Sequence, residues 1–317
     1  MNLRKSYVDF EPYCDAILHA DLRMRVLGME QARYSIVQSI VGRIGIQWAA
    51  EGSGQLSEGS TDRDAFGLYL QLNARPRLLN GMHLCPDSVV VFPPGAEFCF
   101  ACDHANSWLA VRIPTELIAV HRQEELLGAI TLVRCIRSAR ALRTCVTSYL
   151  QAAESNFVLT QSTAAEAAFE SEVLAIARRV CVRSSPRRAK SPEALSPLTT
   201  RHDRLAIEAA ELIEASMKSS ICVGDIANSL GVSERTLLTV FRSRFEQSPS
   251  RFIQSMRLNQ ARRALRNASD TGALVRDIAA DYGFWDFGRF ASKYQRLFGE
   301  LPTQTVKNRK LANSRST

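Results

Sequence analysis

The sequence predicts an α+β protein: an N-terminal β-barrel with flanking helices, then an all-α domain of two helix-turn-helix motifs joined by a connecting helix. Three observations predict it. The triplet Asp-Ile-Ala, with a glycine six positions after the Asp, occurs at residues 225–231 and again at 277–283. Short runs with strand-like alternation fill residues 32–112. The net charge of +8 is uneven, with 19 basic against 12 acidic side chains (+7) in residues 201–317 and 17 against 19 (−2) in residues 1–182.

Residues 225–249 read DIANSLGVSERTLLTVFRSRFEQSP. Ile226, Ala227 and Leu230 recur at helical spacing, and Gly231 ends that helix. Ser233 is placed to cap a second helix with Leu237, Val240, Phe241 and Phe245 on its inner face. In a helix-turn-helix the second helix enters the major groove, so the outward Arg235, Leu238, Thr239 and Arg242 would face bases and phosphates. An ordinary helical hairpin has the same local pattern, and the second copy weighs against it. In residues 277–298, DIAADYGFWDFGRFASKYQRLF, Gly283 closes the first helix and Asp286 caps the second. Phe287, Phe290, Tyr294 and Phe298 form the predicted inner face of that second helix. Between the copies, Phe252, Met256, Leu258, Ala261 and Leu265 keep mostly helical spacing and read as one connecting helix over residues 252–265.

The GVSERTL run, Phe241-Arg242, Ser248-Pro249, and Arg257-Leu258 with Ala261, Arg262 and Leu265 form one set of signals. Asp277-Ile278-Ala279, Tyr282-Gly283-Phe284, Arg289-Phe290, Phe298-Gly299 and Pro302 complete it. Together these residues resemble the DNA-binding domain of the AraC/XylS family of bacterial transcription regulators, over residues 201 to about 309. The resemblance implies two recognition helices in successive major grooves, roughly 34 Å apart. It implies base reading by Arg235, Leu238 and Thr239 in the first motif and by Gly288, Arg289 and Ser292 in the second, with Lys293 beside them. It also implies promoter activation with RNA polymerase as partner. The chain departs from the family at Thr239, where Arg is frequent, at Glu246 in place of the usual Gly, at Leu301 before Pro302, and at Gln304-Thr305.

The first half is organised differently. Residues 1–30 read as a mixed lead-in with a helix expected at LHADLRMRVLGME, residues 18–30. Strands are expected in residues 35–48, 66–72, 78–84, 88–92 and 108–113, with turn signals at 51–54, Asn80-Gly81 and Pro93-Pro94-Gly95. Short strands in series suggest a small barrel or jelly roll. The segment PDSVVVFPPGAEF resembles the cupin-like sensor domains that precede this type of DNA-binding domain, which makes the barrel cupin-like. Helices are expected over residues 115–130, 136–154 and 164–182; in relatives such helices pack on the barrel and form dimer contacts. Residues 183–200, RSSPRRAKSPEALSPLTT, are rich in Pro, Ser and basic residues and read as a flexible linker. The expected domains are therefore 1–182, a sensor and dimerisation domain; 183–200, a linker; and 201–317, the DNA-binding domain.

A barrel of this kind readily encloses an apolar pocket. Trp48, Tyr69, Gln71, Phe98, Phe100 and Trp108 are its candidate lining, and Arg43, Arg75, Arg77 and Arg112 are candidate anchors for an anionic effector. A metal-dependent cupin enzyme would place two His one residue apart on a strand. His19, His83, His104, His121 and His202 are scattered instead, so no catalytic residue, metal site or cofactor is expected. Cys99 and Cys102, with His104 beyond, have the CxxC spacing of metal or redox sites, but on a strand two such thiols point to opposite faces. Eight cysteines, most in apolar runs, fit reduced buried thiols better than a disulfide framework. No run is apolar for the ~20 residues of a membrane helix, and the N-terminus lacks a signal peptide's apolar stretch. The expectation is a cytoplasmic regulator that binds double-stranded promoter DNA, with a small-molecule effector, possible as a homodimer and without membrane contact. Two alternatives stay open: a metal-dependent cupin enzyme with a nucleic-acid-binding tail, and a protein–protein adaptor.

Overall fold

Alternation with period two decides the N-terminal half. Along the run Val89-Val90-Val91-Phe92, the odd positions join one apolar cluster and the even positions another. Leu109, Val111 and Ile113 likewise face away from Trp108 and Ala110. A strand buried on both faces must be covered on both. In the computed structural model, which describes residues 3–118, 129–155, 162–184, 193–195, 201–217, 221–271 and 273–313, that cover is visible on each side.

The strands are β1 (Leu3–Tyr7), β2 (Ala20–Val41), β3 (Ile44–Thr61), β4 (Ala65–Gln71), β5 (Arg77–Leu79), β6 (Met82–Leu84), β7 (Ser88–Phe92), β8 (Glu97–Cys102), β9 (Asn106–Pro114), β10 (Ile130–Arg134) and β11 (Glu193–Leu195). Every pairing is antiparallel, in the order β11-β10-β7-β4-β9-β3-β8-β5-β6, with β2 on β3 and β1 on β2. The sheet curls into a half-barrel. Its inner face holds Tyr13, Tyr34, Tyr69, Phe92, Phe98, Phe100 and Trp108. Helices α2 (Ile136–Ser155) and α3 (Thr163–Ser184) cover its outer face through Leu142, Val146, Leu150, Phe169, Val173 and Ile176. A short helix α1 (Phe10–Ala16) inserts Phe10 and Tyr13 on the inner side.

Several expectations are corrected. Residues 18–30 do not form the expected helix: from Ala20 onward they belong to β2. Leu22, Met24 and Val26 are compatible with either period, and pairing with β3 selects the strand. The run 35–48 breaks into a hairpin at Gly42, whose φ of +58° suits glycine. The expected turn at 51–54 is continuous strand within β3. Gly54 is there for close approach, since a Cβ would lie 2.3 Å from the Asp103 carbonyl carbon. Of residues 115–130, Thr115–Leu117 form a single 3-10 turn, 119–128 lie outside the described residues, and Ile130 opens β10. Within the expected linker, Glu193–Leu195 pairs with β10 as a short edge strand.

The C-terminal half is helical: α4 (Arg201–Ala215), α5 (Val223–Ser229), α6 (Glu234–Phe245), α7 (Pro249–Thr271), α8 (Val275–Asp281), α9 (Phe287–Phe298) and α10 (Pro302–Asn313). The repeat is faithful in structure, with first helices of 7 residues and second helices of 12 in both copies. Gly231 and Gly283 take φ of +63° and +80° in the two turns. The connecting helix is longer than expected, 23 residues, which at ~1.5 Å per residue spans about 35 Å.

The two halves are docked. Apolar residues of α7 and α9, among them Leu258, Ala261, Leu265, Phe290 and Phe298, share a core with the inner face of the sheet. Asn259 on α7 holds the backbone of β2, accepting from the Val26 N–H at 3.0 Å and donating to the Val26 carbonyl at 2.8 Å. Arg25 reaches Glu214 at 3.0 Å. Arg262, 4% exposed, meets Asp9 at 2.8 Å, Glu11 at 3.4 Å and Glu300 at 2.5 Å. No helix among the described residues is long and apolar enough to cross a membrane.

Candidate nucleic-acid interface and barrel pocket

Each recognition helix is set by a capped turn. Ser233 accepts the Thr236 N–H at 3.1 Å, and Asp286 accepts the Arg289 N–H at 3.0 Å. Asp225, the first residue of the repeat, accepts the Cys222 N–H at 2.8 Å and so fixes the start of α5; those bonds hold its carboxyl below the usual carboxylate range. Leu237, Val240, Phe241 and Phe245 are buried as expected. The left-handed caps Glu246 (φ +56°) and Gly299 (φ +75°) end α6 and α9 at matching points.

On the opposite face of α6, Arg235, Thr239 and Arg242 are exposed and Leu238 is half-buried. The Thr239 hydroxyl donates to the Arg235 carbonyl at 3.0 Å, leaving its oxygen lone pairs outward. On α9, Gly288, Arg289 and Ser292 are exposed and Lys293 is half-buried. Arg289 is 84% exposed and leans on its own cap, Asp286, at 3.2 Å. The expected inner face of α9 needs one correction: Phe287 is 46% exposed, and Leu297 takes the buried position with Phe290, Tyr294 and Phe298. Phe287 is the first residue of the helix, where side chains point back over the turn rather than into the core. Trp285, which the sequence reading gave no role, is 76% exposed beside it. A large apolar residue between cap and glycine, with no partner at helical spacing, was the signal available.

The half-barrel encloses a cavity of about 120 Å³. Of the expected lining, Tyr69, Phe98, Phe100 and Trp108 face it. Trp48 packs on the outer face, and Gln71 is tied to Asn106 at 2.9 Å outside the lining. Of the expected anchors, Arg77 and Arg112 face the cavity, whereas Arg43 pairs with Glu170 at 2.5 Å and Arg75 with Asp103 at 3.8 Å, both exposed. No local motif announces Glu51. Its carboxylate accepts from Tyr13 Oη and Trp108 Nε1, each at 2.8 Å, from Gln55 Nε2 at 2.6 Å and from Asn106 Nδ2 at 3.3 Å. Arg77 lies 3.4 Å from that carboxylate and over the Phe100 ring at 4.4 Å. Its Nε is buried with no hydrogen-bond partner. Burial pushes the Tyr69 hydroxyl up to about 12, so it stays protonated beside Arg77. His19, Asp62 and Arg112 also line the cavity, with Arg112 donating to Asp62 at 2.6 Å. Cys99 and Cys102 are buried, and they point to opposite faces: Cys99 joins the first motif's core, while Cys102 bonds the His104 carbonyl. Burial pushes the Cys99 thiol up to about 11, which makes it a poor nucleophile or sensor.

These features define a DNA-binding domain of the helix-turn-helix class, and residues 226–308 match the family described as a helix-turn-helix domain. They form a domain of the AraC type. The XylDLEGF operon transcriptional activator 2 of Pseudomonas putida is 35% identical over 101 residues, covering 32% of this chain and 64% of that protein. The XylDLEGF operon transcriptional activator 3 of the same species is 35% identical over 101 residues, which is 30% of its length. The chain thus spans less than two thirds of these relatives. A crystal structure of a probable AraC family transcriptional regulator from Rhodopseudomonas palustris CGA009 aligns at 28% identity and a TM-score of 0.32, covering 33% of this chain and 97% of that one.

Proposed function

We propose that this chain is a sequence-specific transcription regulator, an activator controlled by a small-molecule effector. Residues 1–182 sense, 183–200 connect and 201–317 read promoter DNA. The observation that carries the reading is the pair of equal-length motifs on one connecting helix. That helix fixes the two recognition helices relative to each other, as reading successive major grooves ~34 Å apart requires. Arg235, Leu238, Thr239 and Arg242 on α6, and Gly288, Arg289, Ser292 and Lys293 on α9, are the proposed contacts. RNA polymerase as partner and a homodimer belong to the same reading. The effector would be small and largely apolar, since a cavity of about 120 Å³ has room for about one ring.

Footprinting of the full chain on genomic DNA at two salt concentrations tests it. Protection of about two helical turns per protomer that persists at the higher salt is the expected result. Diffuse binding that disappears with salt would leave only a basic surface and would favour the adaptor reading.

Two substitutions sharpen the test. Arg289→Ala is expected to cost about 1–3 kcal/mol on the cognate site and relax specificity at one base pair; an equal loss on every sequence would place the residue on phosphate. Gly288→Ala separates stability from binding. The added Cβ meets nothing closer than 3.5 Å, from Asp286 Oδ1, so the helix should gain about 0.5–1 kcal/mol. Affinity for the cognate site should nonetheless fall, because the methyl fills the surface placed against the bases. Unchanged affinity would remove the start of α9 from the interface.

A further inference from the structure

The first recognition helix ends in an unusual residue. Glu246 caps α6 in the left-handed region at φ +56°, where glycine is the ordinary choice. Its side chain leaves the helical domain and reaches the turn between β8 and β9. One ligand atom each of Glu246, Asp103 and His104 lie within 4.8 Å of one another.

His104 is the informative member. Its side chain is 3% exposed, one ring nitrogen, Nδ1, sits 3.3 Å from Asp103 Oδ1, and Nε2 is buried without a hydrogen-bond partner. The ion would take Nδ1, which shares a hydrogen bond with Asp103 Oδ1; Nε2, on the far side of the ring, is not a ligand. The 3.3 Å between Asp103 and His104 is close to the separation of two ligands on one tetrahedral ion, about 3.4 Å for bonds of about 2.1 Å. Two facing carboxylates also call for a counter-charge. Burial, with the Asp103 charge, raises the Glu246 carboxyl above its ordinary range. Arg75, 61% exposed and 3.8 Å from Asp103, offsets part of that charge from the solvent side. His83 Nδ1 lies 3.9 Å from Glu246 Oε1 on the solvent side, outside that cluster.

We propose that Asp103, His104 and Glu246 bind one divalent transition-metal cation, which straps the end of the first recognition helix to the half-barrel. One imidazole with two carboxylates suits zinc, iron, nickel or cobalt better than magnesium or calcium. The ligands come from positions 103, 104 and 246, so no sequence spacing announces the site. The neighbouring thiols are not part of it: Cys102 Sγ bonds the His104 carbonyl, and Cys99 faces the helical core.

The test is titration of the metal-stripped full chain with Co²⁺ and Zn²⁺, read by visible absorption, calorimetry and thermal unfolding. The expected result is one ion per chain, a Co²⁺ spectrum without thiolate charge transfer, and a raised Tm. Glu246→Gln and Asp103→Asn keep side-chain volume and should leave the metal-free Tm near that of the parent. Each should weaken binding by on the order of 10-fold or more and lose the metal-dependent rise in Tm. Three outcomes overturn the proposal: no stoichiometric uptake by the parent, uptake that survives both substitutions, or a thiolate spectrum, which would assign the ion to cysteines such as the exposed Cys222.

Discussion

Arg262→Ala is expected to lower the unfolding free energy of the full chain by about 3 kcal/mol, the lower end of the range for breaking a buried ion pair. The guanidinium is 4% exposed, lies against the stacked Phe10 and Phe298 rings at 5.4 and 4.9 Å from their centroids, and faces three carboxylates. Removing it strands partly buried charge on both halves of the protein. The loss stays at the lower end because Arg266 still meets Asp9 at 2.8 Å and Glu11 at 2.6 Å. Urea unfolding followed by tryptophan emission checks it, since Trp48 and Trp108 report the half-barrel and Trp285 the second motif. A loss below about 1 kcal/mol would mean a solvent-screened pair.

The same cluster gives the docking a pH dependence. Burial, together with a side-chain bond to Asp9, pushes Glu11 up to about 7 from its ordinary 4.5. A carboxyl raised on folding contributes stability that is fully present below its unfolded value and lost as pH rises through its folded one. Stability should therefore decline between about pH 4.5 and 7. Asp9, lowered by its bond with Glu11 and by Arg262 and Arg266 despite burial, acts in the opposite sense, and only at more acidic pH. Glu11→Gln should remove the slope above pH 4.5 and leave the acid limb.

Glu51→Ala is expected to cost about 3–5 kcal/mol. Glu51 and Arg77 have side chains 2% and 3% exposed, so truncating the acid leaves a cation in the barrel with the Tyr69 hydroxyl as its near partner, at 3.2 Å. It also strands the Tyr13 hydroxyl and the Trp108 indole N–H. A matched apolar pair, Glu51→Leu with Arg77→Met, should recover much of the loss, because buried ion pairs contribute little net stability over well-packed apolar residues. If the double variant is as unstable as the single one, the cost lies in the lost hydrogen bonds of Tyr13 and Trp108 rather than in the unpaired charge.

The helical domain was legible because its signals are local: caps, turn glycines and apolar spacing all lie within about twenty residues. The half-barrel was legible only as a class. Along β3, Gln47, Ala49 and Glu51 face inward while Ile46 and Trp48 face outward. Aromatic character suggested Trp48 for the pocket, but strand parity places it on the other side. Residues 18–30 failed for the related reason that a short apolar run fits both periods, and only the partner strand decides. Phe287 failed at a helix end, where periodicity stops describing direction. The polar links between the halves, such as Asp9 with Arg262 and Val26 with Asn259, join positions more than two hundred residues apart. Nothing in their local sequence foretells them.

The grip of Asn259 on Val26 has another consequence. The first part of β2 is hydrogen-bonded to β3 on one side, whereas β1 pairs only with residues 34–38 of β2. On its other margin the Leu22 carbonyl accepts from the Cys14 thiol of α1 at 3.6 Å, and further along the helical domain takes over, with Asn259 holding both polar groups of Val26. Left uncovered, a margin of this kind templates pairing between chains. The reader of DNA therefore also serves as the guard of its neighbour's solubility, and a half-barrel expressed without it should self-associate.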